Sequence, residues 1–267
     1  MSEASIPYTP PEKQYGNRGE IRFVDELKIL LPECRIKRNV VIQTPEGNAE
    51  IDCLILYKTK LFAVEVKRWK GSIAETEEGF VQRKVDRWTG EIHTKYHKSP
   101  FKQLNRAIYL LRKQIPQSAW INAVVFFEDA EDVSDNEEHA WFTEVSDFAE
   151  YILYYGKNSF GNNASSFFEQ CTPADHLYAN SWGKSLHCLV DDASLQFNVG
   201  EMHLSKQDIS SIDIYHHWSY DTLRITAHNN CSYDLELENA SIAVVENGRR
   251  ATYAICKLDC IEIGNNK

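Results

Sequence analysis

The chain has 267 residues, of which 43% are hydrophobic, and a formal net charge of −10 at pH 7. This length can bury a full core as one large domain or two modest ones. The sequence contains no run of eighteen apolar residues and no signal-like N-terminus, so we expect a cytoplasmic protein with no membrane partner. Its seven cysteines form no Cys-x-x-Cys pair, which argues against a disulfide framework and a zinc ribbon.

The first predicted element is a helix that stops at Pro32. Its apolar residues Val24, Leu27 and Leu31 recur at helical spacing, and Glu20 belongs to the same stripe. A glutamate on a core-facing stripe is costly to bury unless it meets a cation or a hydrogen-bond donor. Glu20 is therefore a candidate site residue, and the alternative is an ordinary first-turn glutamate stabilised by the helix dipole.

Three strands are predicted next, over Val40 to Gln43, Ile51 to Tyr57 and Leu61 to Val66. The second and third strands are joined by a short lysine-bearing turn, which predicts a hairpin. Such a hairpin brings Asp52 and Glu65 to the same end of the sheet.

These two carboxylates and a nearby lysine suit a metal-dependent phosphodiesterase. Mg²⁺ prefers one or two carboxylates together with water and phosphate oxygens, and the bound ion activates an attacking water. Lys67 shares a strand face with Glu65, while the carbonyl of Val66 is free to join the metal shell alongside Asp52 and Glu65. The alternative is that Glu65 and Lys67 form an ordinary ion pair on a half-exposed strand.

A second helix is predicted from Pro100, with Ser99 as its N-cap. Gln103 lies at the border of its buried stripe and could reach a phosphate or the nucleophilic water; the alternative is a surface amide. A buried strand follows over Ala123 to Phe127, and Phe80 to Lys84 is expected to extend the earlier meander. The resulting αβββαβ order suits a mixed sheet flanked by helices, which is an α/β fold.

Several short motifs follow one another along the first half of the chain: Gly-x-x-Gly-Glu at 16–20, Glu-Ile-Asp at 50–52, Glu-Val-Lys at 65–67 with Trp69 and Gly71, Trp88, and Ser-Pro-x-x-Gln at 99–103. Their order and spacing resemble those of the nuclease-related domain (NERD) family. Two positions depart from the family pattern: Arg68 and Ser99 stand where asparagine is common. Neither departure removes a group that the chemistry needs.

The resemblance implies membership of the PD-(D/E)xK nuclease superfamily, with a restriction-endonuclease-like fold. It implies that Glu20, Asp52 and Glu65 are the metal-associated acids, that Lys67 is the catalytic lysine and that Gln103 supports them. The expected activity is hydrolysis of DNA with Mg²⁺ or Mn²⁺, and bacterial nucleic-acid processing or defence against foreign DNA is the setting suggested by analogy. The alternative is a catalytically idle module, on the same fold, that binds nucleic acid or protein.

Charge is distributed unevenly along the chain. Residues 1–120 hold 21 Lys and Arg against 15 Asp and Glu, whereas residues 121–267 hold 8 against 24. The basic half contains the motifs, so we expect it to contact DNA, with RNA not excluded. Trp69, Trp88 and Tyr96 lie among these cations as candidates for base stacking. The alternative is a normally solvated surface of mixed charge.

The remaining sequence predicts an accessory domain. The acidic stretch from Glu128 to Glu138 is expected to be a solvated loop, or alternatively an autoinhibitory strip. We predict a nuclease domain over 1–157, a linker over 158–185 and a small antiparallel β domain over 186–267. The acid-rich surface of this last domain suits a protein partner or self-association better than DNA.

Overall fold

The computed structural model describes residues 11–115, 119–134, 139–156, 163–179, 186–199, 202–217, 220–237, 240–246 and 249–264. The chain divides into two compact units: one, here called the N-terminal unit, comprises Tyr15–Cys171, and the other, here called the C-terminal unit, comprises the described residues from 172 to 264 together with residues 11–14. Within the described residues, no helix is both long enough and apolar enough to cross a membrane.

The predicted helix, three strands, helix and strand all occur, in the predicted order. Three further strands lie between the third strand and the second helix. The elements up to residue 170 are α1 (Pro11–Leu30), β1 (Arg35–Thr44), β2 (Gly47–Tyr57), β3 (Lys60–Lys67), β4 (Gly71–Thr76), β5 (Gly79–Val85), β6 (Ile92–His97), α2 (Pro100–Gln114), β7 (Ile121–Phe127), β8 (Ala130–Val133), β9 (Ala140–Phe142), α3 (Val145–Gly156) and α4 (Asn163–Gln170).

The N-terminal unit contains a mixed sheet in which β1, β2, β3, β7 and β9 are neighbours in that order. The first three strands pair antiparallel, whereas β7 pairs parallel with both β3 and β9. A second sheet has the order β6–β5–β4–β8. The predicted strand over Phe80 to Lys84 therefore exists as part of β5, but it belongs to this second sheet and does not extend the meander.

Both faces of the mixed sheet are covered, which explains why its central strands are continuously apolar. Leu61 and Ala63 of β3 face the cluster that contains residues of α2 and α4. Phe62 and Val64 face the opposite cluster, to which α1 and α3 contribute. The strand alternation of β3 thus divides its side chains between two helical layers.

Helix α4 lies inside the range predicted as a linker, 158–185. Its residues Ala164, Phe167 and Phe168 are buried in the core of the N-terminal unit. The side chain of Lys37, which is 2% exposed, donates hydrogen bonds to the carbonyl oxygens of Phe168, Glu169 and Cys171 at 2.9, 3.1 and 2.7 Å. Lys37 therefore supplies a charged donor to carbonyl groups at the C-terminal end of α4, where helical hydrogen bonding runs out.

The C-terminal unit is rich in antiparallel strands. The strands from residue 172 onward are β10 (Thr172–Pro173), β11 (Asp175–Tyr178), β12 (Leu186–Val190), β13 (Gln196–Val199), β14 (Met202–Ser205), β15 (Ile209–His216), β16 (Asp221–Ala227), β17 (Ser232–Leu237), β18 (Ser241–Glu246), β19 (Arg249–Ala254) and β20 (Cys260–Glu262). Eight of them form one sheet in the order β17–β16–β15–β20–β11–β12–β18–β19, with antiparallel neighbours.

Strand β11 begins before residue 186, where the β domain was predicted to start. Asp175 at its start is 1% exposed and ion-pairs with Lys206 at 2.7 Å. It also accepts hydrogen bonds from the backbone N–H groups of Val190 at 2.6 Å and Gly264 at 2.9 Å. This one side chain ties three separate segments of the C-terminal unit together.

Candidate active site

The candidate site lies where β2 and β3 separate. Their pairing runs as far as Cys53 opposite Val64, and β3 then continues beside β7 alone. Asp52 Oδ2 accepts the backbone N–H of Val66 at 2.8 Å. The Asp52 carboxylate thus takes the place of the next backbone hydrogen bond between β2 and β3. It links the two strands beside Glu65.

Glu65 is at the centre of this opening and is only 2% exposed. Its Oε1 accepts hydrogen bonds from Lys67 Nζ at 2.5 Å and from Gln103 Nε2 at 3.0 Å. Strand alternation brings Lys67 to Glu65, and the start of α2 supplies Gln103. Among the described residues, Glu65 Oε2 is buried without a hydrogen-bond partner.

Glu20 reaches the same region from α1. Its Oε2 accepts a hydrogen bond from Asn39 Nδ2 at 3.2 Å and lies 3.5 Å from an Arg38 guanidinium nitrogen. The amide of Asn39 also donates to Glu50 Oε1 at 3.0 Å, so it bridges two carboxylates. The sequence reasoning did not assign a role to Asn39 or to Glu50. Glu50 precedes Asp52 by two residues on the same strand face, and that spacing was a usable signal.

Burial, with neighbouring negative charge, raises the pKa values of three of these carboxyl groups. Burial raises the pKa of Asp52 well above its usual range, and the charges of Glu65 and Glu20 raise it further. Burial also raises the pKa of Glu20, although Arg38 and Asn39 oppose the shift. The pKa of Glu65 is likewise raised by burial, in spite of the neighbouring Lys67 ammonium.

This donor set fits a hard divalent cation. It offers only oxygen atoms, it is rich in negative charge, and it includes the buried Glu65 Oε2 without a partner. Among the described residues, no three His, Cys, Asp or Glu side chains form a ready-made metal cluster. That is compatible with Mg²⁺, which commonly takes one or two carboxylates and completes its shell with water and substrate oxygens.

The acidic stretch that follows β7 begins with a buried residue, contrary to the prediction of a solvated loop. Glu128 is 5% exposed, and its backbone N–H donates to the carbonyl of Lys67 at 2.9 Å. Its side chain forms ion pairs with Arg22 and with Arg68, and Asp129 pairs with the same two arginines. Residues 130–133 form β8, and residues 135–138 lie outside the described part of the chain.

This ion-pair cluster explains one glycine of the Gly-x-x-Gly-Glu motif. A Cβ at Gly19 would overlap Glu128 Oε2 and would lie 2.7 Å from Arg68 Cδ. Only a residue without a side chain lets α1 approach the ends of β3 and β7 this closely. The approach positions Glu20, the next residue, at the site.

Two of the three predicted stacking aromatics are exposed, and the third is part of a core. Trp69 is half-buried against Phe80 and Phe127, and its ring lies 4.0 Å from that of His97 in a stacked arrangement. Trp88 and Tyr96 are 97% and 79% exposed.

The structure thus brings Asp52, Glu65, Lys67 and Gln103 together, with Glu20 beside them, while their catalytic roles stay predictions. Comparison of the chain with curated proteins and with solved structures gives no match. The family comparison does give a match, over residues 15–128, to the model described as the nuclease-related domain. This range contains every predicted site residue, and the match confirms the resemblance inferred from the motifs: residues 15–128 are similar to the nuclease-related domain.

Proposed function

We propose that the N-terminal unit hydrolyses phosphodiester bonds in DNA with the help of Mg²⁺ or Mn²⁺, RNA not being excluded as a substrate. The observation that carries the proposal is the buried Glu65, whose Oε1 binds Lys67 and Gln103 while its Oε2 has no partner among the described residues. A buried carboxylate oxygen without a hydrogen-bond partner is costly, and a bound cation would satisfy it.

The ion would be held by Asp52 and Glu65, with Glu20 and the carbonyl of Val66 as further donors. When bound, it would lower the pKa of the attacking water and offset negative charge on the phosphate. Its charge would also favour the ionised forms of the three carboxyl groups, whose pKa values are raised by burial and by neighbouring carboxylates.

The protein's own groups position the reactants. The Lys67 ammonium, held 2.5 Å from Glu65 Oε1, is 23% exposed and so faces both the buried carboxylate and incoming substrate. It can orient a water molecule or neutralise a phosphate oxygen. Gln103 fixes the same Oε1 from α2, so that Glu65 cannot turn its carboxylate freely. Glu20 supplies further negative charge, held in place by Asn39.

We also propose a restriction-endonuclease-like fold for this unit, supported by the mixed sheet with helices on both faces. The acidic C-terminal unit is proposed to bind a protein partner or a second copy of the chain. Bacterial nucleic-acid processing or defence against foreign DNA is the proposed setting, by analogy with the family.

The activity is tested by incubating the full chain with linear, circular and single-stranded DNA and with RNA, in Mg²⁺, Mn²⁺ or EDTA. We expect cleavage with metal only. Lys67→Ala should lower the rate by about 10²-fold or more, as loss of one group that stabilises charge in the transition state does. The matched control is Lys28→Ala on the exposed side of α1. Cleavage that survives both EDTA and Lys67→Ala would contradict the mechanism.

Metal binding has its own readout, thermal unfolding without substrate. A ligand that binds only the folded state raises its stability, so Mg²⁺ or Mn²⁺ should raise the melting temperature. The isosteric variants Asp52→Asn and Glu65→Gln should lose this increase. If the metals stabilise the wild type but no nucleic acid is cut, the idle binding module becomes the better description.

A further inference from the structure

The hairpin of β5 and β6 extends beyond the sheet that supports it. The two strands pair from Phe80 opposite His97 to Val85 opposite Ile92. On its other edge β5 pairs with β4 only as far as Arg83. Residues 84–95 therefore form a two-stranded projection, here called the arm, and every residue in it except Asp86 is exposed.

The tip of the arm is an ordered turn. Asp86 Oδ1 accepts the backbone N–H groups of Trp88 and Thr89, both at 2.8 Å. The backbone N–H of Asp86 donates to the carbonyl of Glu91, and that of Gly90 donates to the carbonyl of Asp86, again at 2.8 Å. Trp88 lies in this turn, and its side chain is 97% exposed. Because the backbone of the turn is already ordered, binding a partner there costs less conformational entropy.

The exposed apolar side chains of the arm and its base share a pattern. Val85 and Ile92 face each other across the strands, as do the buried Val81 and the exposed Tyr96, and strand alternation places both pairs on one face. The exposed fractions are 58% for Val85, 62% for Ile92 and 79% for Tyr96. Such a surface is costly in water unless something covers it.

The charge of the same segment identifies the kind of partner. Five cations and two carboxylates lie between residues 83 and 98, in a chain whose overall charge is −10: Arg83, Lys84, Arg87, Lys95 and Lys98 against Asp86 and Glu91. The Asp86 carboxylate is already engaged in hydrogen bonds within the turn. The arm therefore presents cations and flat aromatic rings with little negative charge to repel a phosphate. Nucleic acid combines the matching features, a row of phosphates and bases with stackable faces.

The base of the arm is anchored to the candidate site. His97 at the end of β6 stacks on Trp69, two residues beyond Lys67. Ser99 then caps α2, the helix that carries Gln103, by accepting the backbone N–H of Lys102. A ligand on the arm would therefore bind a strand that leads directly into α2, which carries Gln103, and that packs on Trp69, close in sequence to Lys67.

We propose that the arm, together with Arg83 and Tyr96 at its base, is a nucleic-acid-binding element, in which Trp88 and Tyr96 stack on unpaired bases while Arg83, Lys84, Arg87 and Lys95 contact phosphates. The inference rests on the proposed function for its choice of ligand. It adds a binding site outside the carboxylate cluster and a preference for substrates that contain single-stranded segments.

The test measures binding of the full chain in EDTA, where cleavage cannot interfere, by fluorescence anisotropy. The probes are labelled single-stranded DNA, blunt duplex, duplex with a single-stranded overhang, and the same single strand as RNA. Trp88→Ala should weaken binding of the single-stranded and overhang probes about tenfold, and that of the blunt duplex less. The matched control is Trp120→Ala, since Trp120 is also an exposed indole of the N-terminal unit, at 74%.

The phosphate contacts are tested by replacing Arg83, Lys84, Arg87 and Lys95 with glutamine together. The dependence of log affinity on log salt should become less steep by up to about 3. The control, Lys58→Gln with Lys60→Gln in the turn between β2 and β3, should leave the slope nearly unchanged. Circular dichroism and melting temperature show that each variant is folded.

The arm and the proposed function fail in different ways. Cleavage by the wild type with unchanged binding by both arm variants would overturn the arm proposal alone. Weakened binding by the arm variants in a protein that cuts nothing would support the arm and overturn the nuclease. If the arm variants instead abolish self-association or binding to anionic vesicles and leave nucleic-acid binding intact, the arm serves another partner and the proposal is wrong.

Discussion

Gly19→Ala tests the packing that positions the site. Gly19 is a buried residue of α1, and in an ordinary helix interior the change from glycine to alanine stabilises by about 1 kcal/mol. Here the new Cβ would overlap Glu128 Oε2 and approach Arg68 Cδ to 2.7 Å. The structure therefore predicts the opposite sign from helix propensity.

The expected size follows from these two opposing effects. Overpacking a tight contact typically costs about 1–3 kcal/mol, which outweighs or cancels the helix gain and leaves a net loss of up to about 2 kcal/mol. The loss of activity should be larger. Glu20 follows Gly19 directly, and Glu128 is hydrogen-bonded to the backbone of Lys67, so relief of the overlap moves at least one site element. A displacement of about 1 Å can lower a rate by about 10²-fold.

The measurements are the melting temperature of the N-terminal unit within the full chain and the initial rate of DNA cleavage. Glu26→Ala, on the exposed side of α1, controls for helix propensity. In a Glu128→Ala background the overlap with the carboxylate is gone, so Gly19→Ala should cost less there, which gives a measurable coupling energy. Stabilisation of Gly19→Ala by about 1 kcal/mol with unchanged cleavage would refute the reasoning.

Two further changes test buried polar contacts, one in each unit. Lys37→Met should lower the free energy of unfolding by about 2–4 kcal/mol because three carbonyl groups at the end of α4 lose a charged donor. Urea unfolding measures the change, with Lys28→Met as the control. Equal effects of the two substitutions would contradict this role. Asp175→Asn should cost about 3 kcal/mol because Lys206 loses its buried partner, as measured by calorimetry of the C-terminal unit; a change below about 0.5 kcal/mol would show that the pair is not stabilising.

Most of the mixed sheet was predictable because its elements carry local signals. Alternation and the short turn between β2 and β3 predict the hairpin, and the same alternation predicts that Lys67 reaches Glu65. Helix α2 was predictable from its own sequence pattern. Its contact with Glu65 through Gln103 depends on how the helix packs on the sheet, so the sequence could only suggest that contact.

Other features depend on backbone conformations that side-chain patterns do not encode. Asn39 bridges Glu20 and Glu50 from a backbone with φ of 49°, a conformation that asparagine tolerates but does not require. Gly71 has φ of 89°, and a Cβ there would overlap the carbonyl of Arg83. The chain turns at this point into the second sheet, so the apolar pattern of β5 predicted a strand without saying which sheet it joins.

Helix α4 was missed although a signal was present. Its neighbourhood is rich in Gly, Asn and Ser, which is typical of a linker. Yet Ala164, Phe167 and Phe168 lie at positions i, i+3 and i+4, the spacing of an amphipathic helix. Over eight residues this spacing is weak evidence, and the contact that fixes the helix comes from Lys37, more than a hundred residues earlier in the chain.

Within the N-terminal unit, the carboxylates of the candidate site and the cations of the arm occupy different places. Cleavage at the site and binding to the arm should therefore respond differently to divalent metal and to salt. The carboxylates around Glu65 repel phosphate until a divalent cation offsets their charge, so cleavage should require metal. The cations of the arm attract phosphate directly, so binding there should persist in EDTA and weaken steeply with salt. A net charge of −10 therefore does not argue against a nucleic-acid ligand, because the charges that meet the ligand are segregated by position and by role.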